Sequence, residues 1–124
     1  MHYLTISTTE KRQIIPITDE IANHIPEGSG TLTVFVQHTT AAVTTLDLDP
    51  GTDLDFLDFL AGITPDVHWR HPHDPSHAPD HMLAGLIGPS VTIPYENGKL
   101  LLGTWQEIIL VELDGSRERS IIIA

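Results

Sequence analysis

A chain of 124 residues, 40% of them hydrophobic, holds enough apolar surface for one core and too little for two, so a single domain spanning 1–124 is expected. It has no cysteine, which removes disulfides, thiolate ligands and a cysteine nucleophile and leaves any metal to nitrogen and oxygen donors. The formal charge is −11, and no Lys or Arg occurs from Gln13 to Trp69; this argues against nucleic-acid binding and leaves a phosphorylated substrate in need of a divalent cation or of Arg70, Arg117 and Arg119.

The N-terminal Met-His-Tyr-Leu-Thr-Ile-Ser carries no basic segment ahead of an apolar one, and no apolar run approaches membrane-spanning length. A cytoplasmic protein with no membrane partner is therefore expected. Residues 2–8 read as a first strand. Thr18 is placed to cap a short helix with Asp19 and Glu20 in its first turn, Ile21 and Ile25 as its buried stripe and Pro26 beyond its end. After the turn at Glu27–Gly30, the stretch Thr31 to His38 alternates, with Leu32, Val34 and Val36 on one face and His38 sharing their parity. A strand follows from Ala42 to Leu46. Asp49-Pro50 predicts a helix start and Gly62 its end, with Leu54, Leu57 and Ala61 facing inward.

From Ser90 the chain reads as strands: Val91 to Tyr95, a hairpin at Glu96-Asn97-Gly98, a long run from Leu100 to Leu113, a second hairpin signal at Asp114-Gly115, and a last strand to Ile123. The long run is apolar at both parities, so it is expected to be covered on both faces by other layers or by neighbouring subunits, with Gly103 marking a bulge. The pattern as a whole predicts an α+β fold, strand-rich and largely antiparallel, with a few short helices.

Five of the eight histidines fall at 68, 71, 73, 77 and 81, interleaved with Asp74 and Asp80. Neutral imidazole binds borderline metals well, and His77 and His81 would share a helical face if Pro79 opens a helix. Zinc suits such a set, whereas magnesium prefers carboxylates. His38 ends the apolar face of its strand and is followed by the hydroxyls of Thr39 and Thr40, where a ligand would find polar groups; the same position also suits a buried structural histidine. Asp47, Asp49, Asp53, Asp55 and Asp58 crowd twelve residues; Asp49 and Asp53 suit a helix N-terminus, and Asp55 and Asp58 its polar stripe, so Asp47 is the one without a structural reason. Gly103-Thr104-Trp105-Gln106 would line a pocket for a flat heterocycle, and Arg117 and Arg119 would meet phosphate or decorate an exposed edge strand.

These residues resemble the YjbQ-like family, whose members are described either as an uncharacterised conserved family or as secondary thiamine-phosphate synthases. The likeness spans nearly the whole chain and is most specific in Ser90-Val-Thr-Ile-Pro-Tyr-Glu-Asn-Gly98-Lys-Leu-Leu-Leu-Gly103-Thr-Trp-Gln106. It extends to His38-Thr-Thr-Ala-Ala42, Asp49-Pro50, Asp55, His71, His81 with the run to Gly88-Pro89-Ser90, and Asp114-Gly115 with Arg117 and Arg119. Leu46-Asp47 departs from the family's Asn-Glu pair, His77 from its Asn, and Tyr95 from an aliphatic residue. The resemblance implies an antiparallel α+β fold, a homotrimer with a pocket near a subunit boundary, and coupling of an aminopyrimidine-methyl diphosphate to a thiazole phosphate with release of diphosphate.

On this reading a small-molecule substrate is handled by a metal-assisted transferase of thiamine-phosphate synthase type. His38, His71 and His81 are the expected ligands of a divalent ion, zinc or magnesium. Asp47 and Thr40 are the catalytic candidates, and Thr39, Thr104, Trp105, Gln106, Arg117 and Arg119 the substrate-binding ones. The rival readings are a metal-dependent hydrolase of a small phosphorylated or acylated molecule and a non-enzymatic, ligand-binding trimer.

Overall fold

The computed structural model describes residues 1–124. In chain order its elements are β1 (His2–Ser7), β2 (Gln13–Pro16), α1 (Thr18–Ala22), β3 (Ser29–Val36), β4 (Ala41–Asp47), α2 (Thr52–Gly62), a 3-10 turn (Pro75–His77), α3 (Ala78–Ile87), β5 (Ser90–Glu96), β6 (Lys99–Leu100), β7 (Gln106–Glu112) and β8 (Glu118–Ile123). Two antiparallel sheets result: a five-stranded one in the order β1-β8-β3-β5-β6 and a three-stranded one in the order β2-β7-β4. The fold is the expected antiparallel α+β class.

The small sheet is the middle of three layers. Its Ile108, Leu110, Ala41 and Val43 pack with Leu32, Val34, Ile93 and Ile121 of the large sheet, while Ile109, Val111 and Ala42 pack with Leu60 of α2 and Leu83 and Ala84 of α3. This accounts for the two-sided apolarity of β7: both of its faces are covered by layers of the same chain.

Four local expectations are corrected. The run from Leu100 to Leu113 is two strands in different sheets, because residues 101–105 cross between them and Trp105 takes a left-handed backbone, φ 65°. Asp114-Gly115 likewise joins the two sheets instead of forming a hairpin, and a Cβ at Gly115 would lie 2.1 Å from the Glu10 carbonyl oxygen, so only glycine fits. In α2 the inward residues are Phe56, Leu57 and Leu60, whereas Leu54 and Ala61 are exposed; with apolar residues at 54, 56, 57, 59, 60 and 61 the sequence pattern left the helix phase open, and packing of the larger Phe56 and Leu60 decides it. Thr18 lies inside α1, and its hydroxyl binds the Ile108 amide at 3.0 Å and the Glu107 carboxylate instead of capping the helix. The Asn97-Gly98 hairpin is present as read, with φ of 50° and 79°, joining β5 to β6.

Candidate functional site

The strand alternation that buries Val34 and Val36 ends at β3, and the chain then runs through His38, Thr39 and Thr40 into β4. This corner is tied to β8. The Gln37 amide donates to the Ser120 carbonyl at 3.1 Å, and the Ser120 amide donates to Nε2 of His38 at 2.9 Å. An N–H donor at Nε2 fixes that nitrogen as the lone-pair side, so the proton of the neutral ring sits on Nδ1. Burial, followed by the positive charge of Arg119, holds the His38 pKa below its ordinary value, in agreement with a neutral ring.

His81 stands on the first turns of α3 with Nδ1 3.0 Å from the Thr39 carbonyl oxygen. A carbonyl only accepts, so Nδ1 carries the proton and Nε2 of the neutral ring is the free lone pair. His71 packs beside it, with ring centroids 4.7 Å apart. His38, Thr39 and His81 open onto a cleft of about 400 Å³ lined further by Ala41, Ala84 and Pro89.

Beneath this corner lies a buried ion pair. The Arg119 side chain is 1% exposed and that of Glu112 0%. Arg119 donates through Nε and Nη2 to the Glu112 carboxylate, and through Nη2 to the Thr40 carbonyl at 3.0 Å and hydroxyl at 2.9 Å. Glu112 also accepts from the Thr8 hydroxyl at 2.7 Å and the Asp114 amide at 3.1 Å. Burial raises its pKa, but the hydrogen bonds from Arg119 and Thr8 outweigh that and hold it below the ordinary value. No buried side-chain polar atom lacks a partner. An outer ring of charge continues the network. Lys11 bridges Asp80 at 2.7 Å and Asp114 at 2.6 Å, Arg12 reaches Asp80 at 3.0 Å, and Arg117 reaches Asp114 at 3.2 Å.

The predicted residues therefore separate. His38, Thr39, Thr40, His71 and His81 gather at one end of the small sheet, whereas Asp47, Thr104, Trp105 and Gln106 lie at the other. Ala41 pairs with Glu112 and Asp47 with Gln106, six residue steps or roughly 20 Å along β4. Asp47 is exposed and accepts the Asp49 amide at 2.7 Å, a turn contact that supplies the structural reason its sequence lacked. Arg119 is a buried structural cation, neither at an exposed edge nor open to phosphate, and Arg117 is exposed but held to Asp114. His77 and His81 diverge: His77 lies between Asp74 and Asp114, at 3.2 and 3.4 Å.

The ligand set of three histidines does not assemble within the chain. His38 has its lone pair on the Ser120 amide and a proton on Nδ1, leaving only His71 and His81, and no group of three or more His, Asp or Glu side chains is placed to hold a metal ion. Glu112, Thr8, Lys11 and Asp114 were missed as site-supporting residues. The available signal was a glutamate inside the apolar run from Ile108 to Leu113, a charge that needs a buried partner.

Residues 2–124 match the family model described as "UPF0047 protein YjbQ-like". The chain belongs to the YjbQ/UPF0047 family. A UPF0047 protein of Archaeoglobus fulgidus is 37% identical over 121 residues, covering 97% of this chain and 96% of that protein, and YugU of Bacillus subtilis is 35% identical, covering 97% and 94%. Among solved structures, a YjbQ/UPF0047 protein of Clostridium acetobutylicum is 34% identical with a TM-score of 0.89, covering 100% of this chain and 98% of that one. A conserved hypothetical protein of Thermus thermophilus superposes equally well, TM-score 0.89, at 28% identity. YjbQ-type architecture is thereby established for the chain. No helix is long and apolar enough to cross a membrane.

Proposed function

We propose that the cleft between His38 and His81 is an acid–base site acting on a small molecule. One observation carries this reading: the two imidazoles share the Nδ1–H tautomer but are held by backbone groups through opposite nitrogens, His38 through Nε2 and His81 through Nδ1, so one has an N–H and the other a lone pair left for the same cleft. A neutral His38 would polarise a substrate oxygen through Nδ1–H, and Nε2 of His81 would take a proton from a nucleophile that carries one, such as the water of a hydrolysis. Beneath them, Arg119 holds Thr40 and the 38–40 corner in place.

Coupling of an aminopyrimidine-methyl diphosphate to a thiazole phosphate is the reaction to which the family resemblance points. In it the methylene–oxygen bond to diphosphate breaks as the thiazole nitrogen bonds to the methylene carbon to give a thiazolium; the His38 N–H would stabilise the departing oxygen, and His81, with no proton to take from that ring nitrogen, would hold substrate through its Nε2 lone pair. Hydrolysis of a small ester is the second reading, favoured by a cleft lining that contains no Lys or Arg. Part of the proposal is that a homotrimer brings Asp47 and the Thr104–Gln106 loop of one copy toward the His38 end of the next, which would reunite the two halves of the expected site.

Assaying the purified protein with both thiamine precursors and with a panel of phosphate and carboxylate esters tests this. His81→Ala and His38→Ala are each expected to lower the rate about 10²–10⁴-fold. Activity that survives both substitutions would overturn the assignment.

A further inference from the structure

A second cleft lies on the other side of α3, and none of the residues discussed for catalysis uses it. It measures about 420 Å³ and is bounded by the β1–β2 loop, the C-terminal end of α2 and the 3-10 turn. We propose that it binds a small aromatic anion, a single ring carrying one phosphate or carboxylate group. The inference does not rest on the reading of the histidine cleft: Asp80 and His81 are adjacent on α3 but line different clefts.

Charge is the first argument. In a chain with six basic residues and a formal charge of −11, two consecutive ones, Lys11 and Arg12, line this single cleft. Both are anchored on Asp80, whose side chain is 3% exposed, so their charged ends are positioned before any ligand arrives. Arg12 uses only Nη2 for that contact; Nε and Nη1 take no partner from the protein. Both planar forks of a guanidinium include Nη2, paired with Nη1 or with Nε, and its single contact with Asp80 leaves Nη2 a second hydrogen, so one fork still suits two oxygens of one phosphate or carboxylate.

Shape is the second. Trp69 lines this polar cleft and also an adjoining apolar groove formed with Ile63, Met82 and Leu86. A ligand whose anionic end meets Arg12 would therefore lay its apolar ring against Trp69, where stacking adds to area burial. The volume suits one ring with one substituent. Asp66 on the same wall sets an upper limit on charge, since a second phosphate would meet a carboxylate.

Fluorescence titration of the full chain tests the proposal, with Trp105→Phe leaving Trp69 as the only indole. Phenyl phosphate and benzoate serve as probes for the two anionic groups, with inorganic phosphate as the ring-free control. A saturable change in Trp69 emission is expected with at least one aromatic probe. Binding should weaken tenfold or more in Arg12→Gln and several-fold in Arg12→Lys, which keeps the ion pair with Asp80 but loses the fork. The lysine variant, together with calorimetric titration of Trp69→Leu, separates lost binding from lost folding. No saturable response, an affinity unchanged in both Arg12 variants, or inorganic phosphate binding as tightly as the aromatic probes would overturn it.

Discussion

At the scale of single residues, the interaction between Glu112 and Arg119 does more than neutralise two charges. It fastens β7 to β8 and, through Thr40, fixes the corner on which His38 stands. Removing one partner leaves the other buried and uncompensated, so Glu112→Gln is expected to cost about 3–5 kcal/mol in urea unfolding, whereas the double change Glu112→Leu with Arg119→Met should cost less than either single one. The same corner sets a pH dependence. His38 is held below its ordinary value of about 6.5, so between that pH and its folded pKa the unfolded chain binds the extra proton. Stability is full above about pH 6.5, falls as pH drops through that window and then levels off. Glu112 and Asp114, both held below ordinary carboxylate values, add a second loss that begins as pH falls through those ordinary values and is complete below their folded pKa values; for Asp114, burial pushes upward but the hydrogen bond and charge of Lys11 prevail. Urea melts from pH 8 to pH 3 would show both phases, and His38→Gln should abolish only the first.

At the scale of elements, the crossing between β6 and β7 stores backbone strain where a large aromatic is displayed. Trp105 has φ 65° and is 59% exposed, so its side chain gains little burial in return. The loop is nonetheless tightly held: Gln106 accepts the Gly103 amide at 2.9 Å and donates to Thr45 at 3.2 Å, and the Leu48 amide donates to the Trp105 carbonyl at 3.0 Å. Trp105→Gly is expected to stabilise the protein by about 1 kcal/mol, measured by thermal unfolding, because glycine adopts this conformation without the Cβ clash. If the loop contacts substrate, as proposed, the same variant loses turnover while its melting temperature rises.

For the whole molecule, the separation of roughly 20 Å between the His38 and Trp105 ends of β4 makes assembly a functional question. Sedimentation equilibrium is expected to give three times the chain mass of 13.7 kDa. Mixing His81→Ala with Trp105→Ala chains should restore part of the activity, because some interfaces in a mixed trimer would carry both intact halves. A monomeric protein with full activity would remove the shared site.

Several features followed from sequence alone because they depend on local rules. The alternation of Leu32, Val34 and Val36 requires a half-buried strand, Asn97-Gly98 requires a tight hairpin, and apolar residues at both parities of 108–111 require two covered faces. The corner at His38-Thr39-Thr40 was legible too, as an apolar strand ending in groups able to meet a ligand. Its chemistry was not, because a histidine's protonated nitrogen is set by its partners, here the Ser120 amide and the Thr39 carbonyl, which come from elsewhere in the chain. Composition likewise singled out the histidines and carboxylates, but it could not show that Asp47 and the His38 corner stand at opposite ends of β4, or that Arg119 is committed to a buried ion pair and Asp80 to part-buried ones. Periodicity along the chain fixes which face a residue occupies; only the register between strands and the stacking of layers decides which of those residues meet.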